Sequence, residues 1–218
     1  MKGTHGPSRL KEKPEALPLF PLAGALLLPG GQLPLNIFEP RYLAMVDAAL
    51  AGDRLIGMIQ PRENMEREKP ALYDAGCAGR ITSFAETGDG RYLINLTGVR
   101  RFRVTEEIAS DAPFRIAQPD WSAFAMDGDR DPSVEDVNRD DLLDALRDYL
   151  DTEQLDIEWE KAASASVEAL VVSLAMGCPF LPNEKQALLE AKTLAQQADC
   201  LTALMALAGG DDDGAPLQ

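Results

Sequence analysis

The sequence holds few of the residues with which enzymes do chemistry. Its 218 residues include one histidine, His5, and three cysteines, Cys77, Cys178 and Cys200. Catalysis by a Ser-His-Asp or Cys-His group needs a histidine inside the fold, and His5 lies in a polar N-terminal segment. The cysteines are odd in number, widely spaced and outside any C-x-x-C, which favours free thiols in a reducing cytoplasm over disulfides or a zinc site.

Nucleotide and metal motifs are also absent. The sequence has no G-x-x-x-x-G-K-[ST] and no G-x-G-x-x-G, so we expect neither an ATP site nor a dinucleotide site. The segment "DGDRDP" has alternating aspartates but lacks the later Gly and closing Glu of a calcium loop. The seven lysines lie in polar surroundings, which would not depress a lysine pKa for base work. We therefore expect no cofactor, no metal and no catalytic residue.

The longest apolar run is interrupted. "LPLFPLAGALLLPGG" contains three prolines and three glycines, whereas a transmembrane helix needs about 20 largely continuous apolar residues. The sequence thus predicts no membrane segment.

Acidic residues dominate, and they are unevenly placed. The net charge is -15, of which residues 122–158 contribute -10 and Asp211–Asp213 a further -3. This balance weighs against binding to nucleic-acid phosphates, which needs clustered Lys and Arg. It favours a solvated acidic face, with docking of a basic partner as the alternative.

Residues 17–124 have the pattern of a mainly β structure. Short apolar or alternating runs predict strands at "LPLF", "QLPLNIF", "RLIGMIQ", "GRITSFAE", "RYLINLTG", "RFRVTEE" and "FRIAQ", and "TGDGR" predicts a tight hairpin. One helix is predicted in "EPRYLAMVDAALAG", with Glu39 as N-cap, Pro40 in the first turn and Gly52 at its end. Phe38 and Leu43 then have the spacing of a hydrophobic staple.

Residues 133–208 have helical periodicity instead. Leu143, Leu146 and Leu150 recur at helical spacing, and Ser133 with Asp136 resembles a capping box that would begin this helix. Residues 1–16 are predicted to be a flexible arm and residues 209–218 a disordered acidic tail.

The first part of the chain resembles a known family. "LPLFPLAGALLLPGGQLPLNIFEPRYLAMV", "DRLIGMIQP" and "LYDAGCAGRITSFAETGDGRYLINLTGVRRFRV" are similar to the N-terminal substrate-binding domain of ATP-dependent Lon proteases. The resemblance implies an α+β fold: a PUA-like β-barrel with one inserted helix (17–124), followed by a C-terminal α-helical bundle (133–208). It also implies recognition of unfolded or damaged polypeptide without catalysis.

The ATPase and protease motifs of Lon are not recognisable in this sequence. The resemblance therefore predicts a stand-alone Lon N-terminal domain protein, which binds exposed apolar polypeptide or acts as an adaptor to a separate protease. A peptidase label would come from the family name alone. The predicted partners are unfolded polypeptides or a protease; we expect neither nucleic acid nor membrane.

Extended peptides bind at sheet edges and in grooves beside helices. We therefore predict a peptide-binding site at Leu33, Ile37, Phe38 and Tyr42, with Arg41 and Arg62 at its rim. For each apolar residue, a place in the core is the competing interpretation.

Two other functions are weighed against peptide binding. PUA-like barrels often bind RNA, and Arg101 and Arg103 with Phe102 between them would be the residues concerned. A cryptic hydrolase ranks last, because the sequence offers no catalytic residues.

Overall fold

The computed structural model describes residues 13–62, 69–127, 129, 131–155 and 157–210. The chain divides after residue 130 into two compact units. Within the described residues the structure is α+β, with a mixed six-stranded sheet and six α-helices.

The first unit holds the whole sheet and one α-helix among its described residues. Its elements are β1 (Leu17–Pro21), β2 (Gln32–Ile37), α1 (Pro40–Ala51), β3 (Leu55–Pro61), β4 (Leu72–Glu86), β5 (Tyr92–Ile108), β6 (Arg115–Asp120) and a 3-10 turn (Ser122–Phe124). Apolar side chains at alternate positions give these strands a buried face.

The strands pair in the order β2-β5-β4-β3-β1-β6, and β5 pairs with β6 as well. Strands β5, β4, β3, β1 and β6 thus form a closed circuit of pairings. Only β1 and β3 are parallel; the other pairs are antiparallel. Strand β2 lies outside the circuit, paired with β5 alone within the described part of the chain.

Strand β5 corrects one prediction. "RYLINLTG" and "RFRVTEE" were expected to be separate strands, but both belong to the single strand β5. The pairing with β4 skips a residue between Gly98 and Arg100, so Val99 is bulged. A bulge bends a strand, which allows one long strand to pair with β2 near its start and β6 near its end.

Helix α1 begins and ends as the sequence predicts. Glu39 is the N-cap in an extended conformation, Pro40 is the first helical residue, and Gly52 is the C-cap. Pro40 costs no hydrogen bond there, because that amide would have no partner within the helix. Phe38, expected to pack as a staple, is 61% exposed.

Phe102 lies at the centre of the first unit's core. Its ring is fully buried and meets Trp121 edge-on at 5.9 Å. The Trp121 indole Nε1 donates to the Pro14 carbonyl at 3.2 Å, so residue 14, within the predicted arm, is held against the core. Residues 1–12 of that arm lie outside the described residues.

The second unit is helical. Its elements are a 3-10 turn (Pro132–Asp136), α2 (Arg139–Glu153), α3 (Trp159–Ser164), α4 (Val167–Gly177), α5 (Pro182–Glu190) and α6 (Leu194–Gly210). Helix α6 packs against α2, α4 and α5. It reaches two residues into the predicted tail, and residues 211–218 lie outside the described part.

The predicted capping box at Ser133 is wrong. Asn138 caps α2 instead, its side chain accepting from the Asp141 amide. Ser133 Oγ accepts from the Ala195 amide at 3.1 Å, and Asp131 accepts from the Leu194 amide at 2.8 Å. Both side chains therefore satisfy amides at the start of α6, a partner distant in sequence.

Gly98 supplies a test of the packing around the bulge. A Cβ at this position would lie 2.0 Å from the Leu28 carbonyl oxygen. Backbone cannot move as a side-chain tip can, so we expect Gly98→Ala to lower the free energy of unfolding by at least about 2 kcal/mol. Urea unfolding measures this. Gly88→Ala is the control, since nothing lies within 4 Å of its Cβ; equal losses in both variants would contradict the packing argument.

Candidate functional site

A groove of about 560 Å³ opens on the first unit. It is formed by the start of α1, the end of β5, the segment 109–114 and the start of β6. Its large apolar lining residues are Pro21, Tyr42, Pro70, Ile108, Phe114 and Ile116, and its charged ones are Arg41, Lys69, Glu107 and Arg115. The volume lies within the range of about 300–1,000 Å³ that is common for ligand sites.

The first turn of α1 forms one wall. Tyr42 is largely buried, with its ring 4.3 Å from that of Phe20. The Arg41 guanidinium lies 4.5 Å from the Tyr42 ring centroid and contacts Glu39 at 2.8 Å. Burial raises the pKa of the Tyr42 hydroxyl, so the ring lines the groove as a neutral phenol.

A polar network supports the other wall. Arg115 Nε donates to Glu107 Oε2 at 2.8 Å, Arg115 Nη2 contacts Glu107 Oε1, and Nη1 donates to the Pro70 carbonyl at 2.7 Å. Lys69 Nζ lies 3.4 Å from Glu107 Oε2. The Arg115 hydrogen bond holds the pKa of Glu107 below its usual value. Arg115 thus ties β6 to β5 and to the segment before β4.

The groove is suited to binding rather than to covalent chemistry. Its lining contains no cysteine or histidine among the described residues. Burial raises the pKa of Cys178 to about 11 and also raises that of Cys77, so both thiols stay protonated at neutral pH.

Two of the predicted peptide-binding residues, Arg41 and Tyr42, lie together in this groove. Arg62 lies outside its lining, exposed at the end of β3, where it contacts Asp74 at 2.8 Å. Whether any of the three contacts peptide stays a prediction.

The other three predicted residues belong to β2 or follow it directly. Ile37 is buried in the core, so its prediction as a peptide contact is wrong. Leu33 is half-buried and Phe38 is exposed, with the Arg91 guanidinium 5.8 Å from its ring. None of the three lines the groove.

The residues named for RNA binding are placed against that function. Phe102 is fully buried and has no face on which a base could stack. Arg101 is buried too, and its guanidinium donates to both Asp127 carboxylate oxygens. Arg103 is half-buried, with its guanidinium 5.9 Å from the Phe124 ring. The prediction of Phe102 and Arg101 as RNA contacts is therefore wrong.

Sequence reasoning did not name most of the groove. Phe114 and Ile116 were assigned only to a strand, and Glu107 and Lys69 only to a strand and a charged loop. The pairing of Ile108 with Ile116 brings these segments together. A long-range pairing leaves no local pattern, although the proline-containing loop "ASDAPF" does mark the reversal between the two strands.

Comparison with known proteins gives the family. The sequence profile of the ATP-dependent protease La (LON) substrate-binding domain matches residues 16–206, which is most of the chain. The chain belongs to this family. The resemblance found in the sequence is thereby confirmed.

Individual relatives are matched over part of their length. The chain is 33% identical to Lon protease 2 of Myxococcus xanthus over 109 residues, which are 49% of this chain and 13% of that protein. It is 26% identical to the Lon protease of Syntrophus aciditrophicus over 197 residues, 88% of this chain and 21% of that protein. The chain thus spans a small fraction of these Lon proteases.

Solved structures share the fold. The Lon N-terminal domain protein from Xanthomonas campestris has a TM-score of 0.62 at 24% identity, covering 86% of this chain and 97% of that one. The N-terminal domain of the Mycobacterium avium complex Lon protease has a TM-score of 0.63 at 14% identity, covering 88% and 98%.

Two searches of the described residues found nothing. No described helix is both long and apolar enough to cross a bilayer. No three metal-binding side chains in the described ranges are grouped as a metal site would require.

The buried Arg101–Asp127 pair yields a stability prediction. Its side chains are 6% and 5% exposed, and Arg101 Nη2 lies 2.7 Å from Asp127 Oδ1. Removing the cation leaves a buried carboxylate unpaired, so we expect Arg101→Met to lower the free energy of unfolding by about 3–5 kcal/mol. The matched control is Arg91→Met, which breaks an exposed pair with Asp89 and should cost less than about 1 kcal/mol. Similar urea midpoints for the two variants would contradict this.

Glu107 yields a pH prediction. Its native pKa is lowered, so its stabilising effect is fully present above the unfolded-state pKa of about 4.3 and is lost as pH falls through the native value. We expect Glu107→Gln to be less stable than wild type at pH 7, and the difference to shrink below about pH 4. Urea unfolding at several pH values measures it, with the exposed neighbour Glu106→Gln as control. A difference that stays constant from pH 7 to 3 would contradict the prediction.

Proposed function

We propose that this chain is a non-catalytic polypeptide-recognition module, which binds exposed apolar segments of unfolded proteins in the groove. It would either deliver such segments to a protease or act as an adaptor to a separate one. The observation that carries the proposal is the groove's lining, in which aromatic and aliphatic side chains lie beside cations.

The family supports the same function. Its profile is described as a substrate-binding domain, and the relatives are named as Lon proteases, whose substrates would be polypeptides. An unfolded chain differs from a folded one by exposing apolar side chains and unpaired backbone. A concave apolar surface with a few polar groups distinguishes the two states.

The fold details are proposed on the same basis. The closed circuit of pairings supports a PUA-like barrel for the first unit, and the packing of α6 on α2, α4 and α5 supports an α-helical bundle for the second. All three cysteines are described and are free thiols, which supports a reducing compartment such as the cytoplasm.

Fluorescence anisotropy of a labelled, permanently unfolded polypeptide tests the proposal, with a folded protein of the same size beside it. Ile108→Ser removes an apolar side chain of the groove that is 39% exposed. Losing most of such a contact corresponds to about 1.5 kcal/mol, so we expect affinity for the unfolded chain to fall about tenfold.

Leu93→Ser is the matched control, because Leu93 lies on the same strand, is 46% exposed and is outside the groove. Its affinity should equal that of wild type. Absence of binding to the unfolded chain would overturn the function. Loss of binding in Phe38→Ser but not in Ile108→Ser would move the site to β2, where the sequence predicted it.

A further inference from the structure

The groove carries a surplus of positive charge. Arg41, Lys69 and Arg115 line it from three separate segments of the chain, whereas Glu107 is its only lining carboxylate among the described residues. Counting Glu39, which pairs with Arg41 from outside the lining, three cations face two carboxylates. One additional negative charge would neutralise the cluster.

The three cations are not equally available to a ligand. Arg115 is largely buried and directs its donors to Glu107 and the Pro70 carbonyl, so it positions the wall. Arg41 is half-exposed and contacts Glu39 through Nε and Nη2, which leaves part of its five-donor guanidinium for another acceptor. Lys69 is exposed and has three donors. Arg41 and Lys69 are therefore the groups that a ligand would meet.

Cation and apolar surface lie very close together. The Arg41 guanidinium is 4.5 Å from the centre of the Tyr42 ring. A ligand that uses both must carry a negative charge and an apolar group only a few ångströms apart. Within an extended peptide, neighbouring side chains point to opposite faces, and those on the same face are about 6.6 Å apart. At a C-terminal residue, by contrast, carboxylate and side chain share one Cα.

We propose that the groove binds the C-terminal residue of a polypeptide, one with an apolar side chain and a free carboxylate. The side chain packs against Tyr42, Phe114 and Ile116, and Arg41 and Lys69 bind the carboxylate. This inference rests on the proposed function and specifies the part of the polypeptide that is recognised.

The test uses one labelled ten-residue peptide ending in leucine, prepared with a free carboxylate and as the C-terminal amide. A third peptide is amidated and carries aspartate two residues before the end. Because charge-assisted hydrogen bonds are lost with the charge, we expect the acid to bind wild type about tenfold more tightly than the amide. The aspartate peptide should bind like the amide.

Arg41→Gln and Lys69→Gln should each reduce the ratio of acid to amide affinity. Arg62→Gln is the control, since Arg62 is exposed and outside the groove lining, and it should keep the wild-type ratio. A merely structural effect of a variant would weaken both peptides and leave the ratio unchanged, which would overturn the roles of Arg41 and Lys69.

Equal binding of acid and amide, still weakened by Ile108→Ser, would overturn the inference and leave the proposed function standing. Tight binding of the aspartate peptide would also overturn it, in favour of an acidic side chain as the ligand. Failure of every peptide and of the unfolded polypeptide would remove the proposed function itself.

Discussion

The Phe102 ring can occupy the centre of the first unit only because two facing strands carry glycine there. A Cβ at Gly57 would lie 2.9 Å from Phe102 Cζ, and one at Gly76 would lie 2.8 Å from it. Contacts this short do not occur between real side chains, so β3 and β4 must present bare backbone to the ring. Phe102 in turn sits on β5, whose bend lets it reach β6. The wall of the groove at Glu107 and Ile108 depends on that course.

Charge is divided between the two units much as binding and solubility would require. Residues 131–218 carry 19 acidic and five basic residues, a net charge of -14, which leaves -1 for the first 130 residues. The groove's positive surplus therefore belongs to a nearly neutral unit. At physiological ionic strength, charges separated by more than about 8 Å are largely screened, so a carboxylate in the groove responds mainly to Arg41 and Lys69.

Features set by neighbours in sequence could be predicted from the sequence. Pro40 and Gly52 bound α1 as expected, because their effect on a helix end is local. The failures involve partners far along the chain. Ser133 was read as a cap for its own helix, but it satisfies an amide of α6. Phe102, between two arginines, was read as an exposed aromatic, whereas Gly57 and Gly76 make room for it in the core. The groove was half found, through Arg41 and Tyr42, since its other wall exists only when β5 and β6 pair.

The arrangement of Arg115 explains how a shallow groove could discriminate between ligands. A flexible cation must be ordered when it binds a carboxylate, and that ordering reduces affinity. Here Arg115, Glu107 and the Pro70 carbonyl are already ordered by one another, so the apolar wall is rigid before a ligand arrives. Every unfolded chain offers many apolar segments but a single C-terminus. A rigid apolar wall alone would bind all of those segments with similar affinity, whereas Arg41 and Lys69 at its edge would select the one residue that also carries a carboxylate.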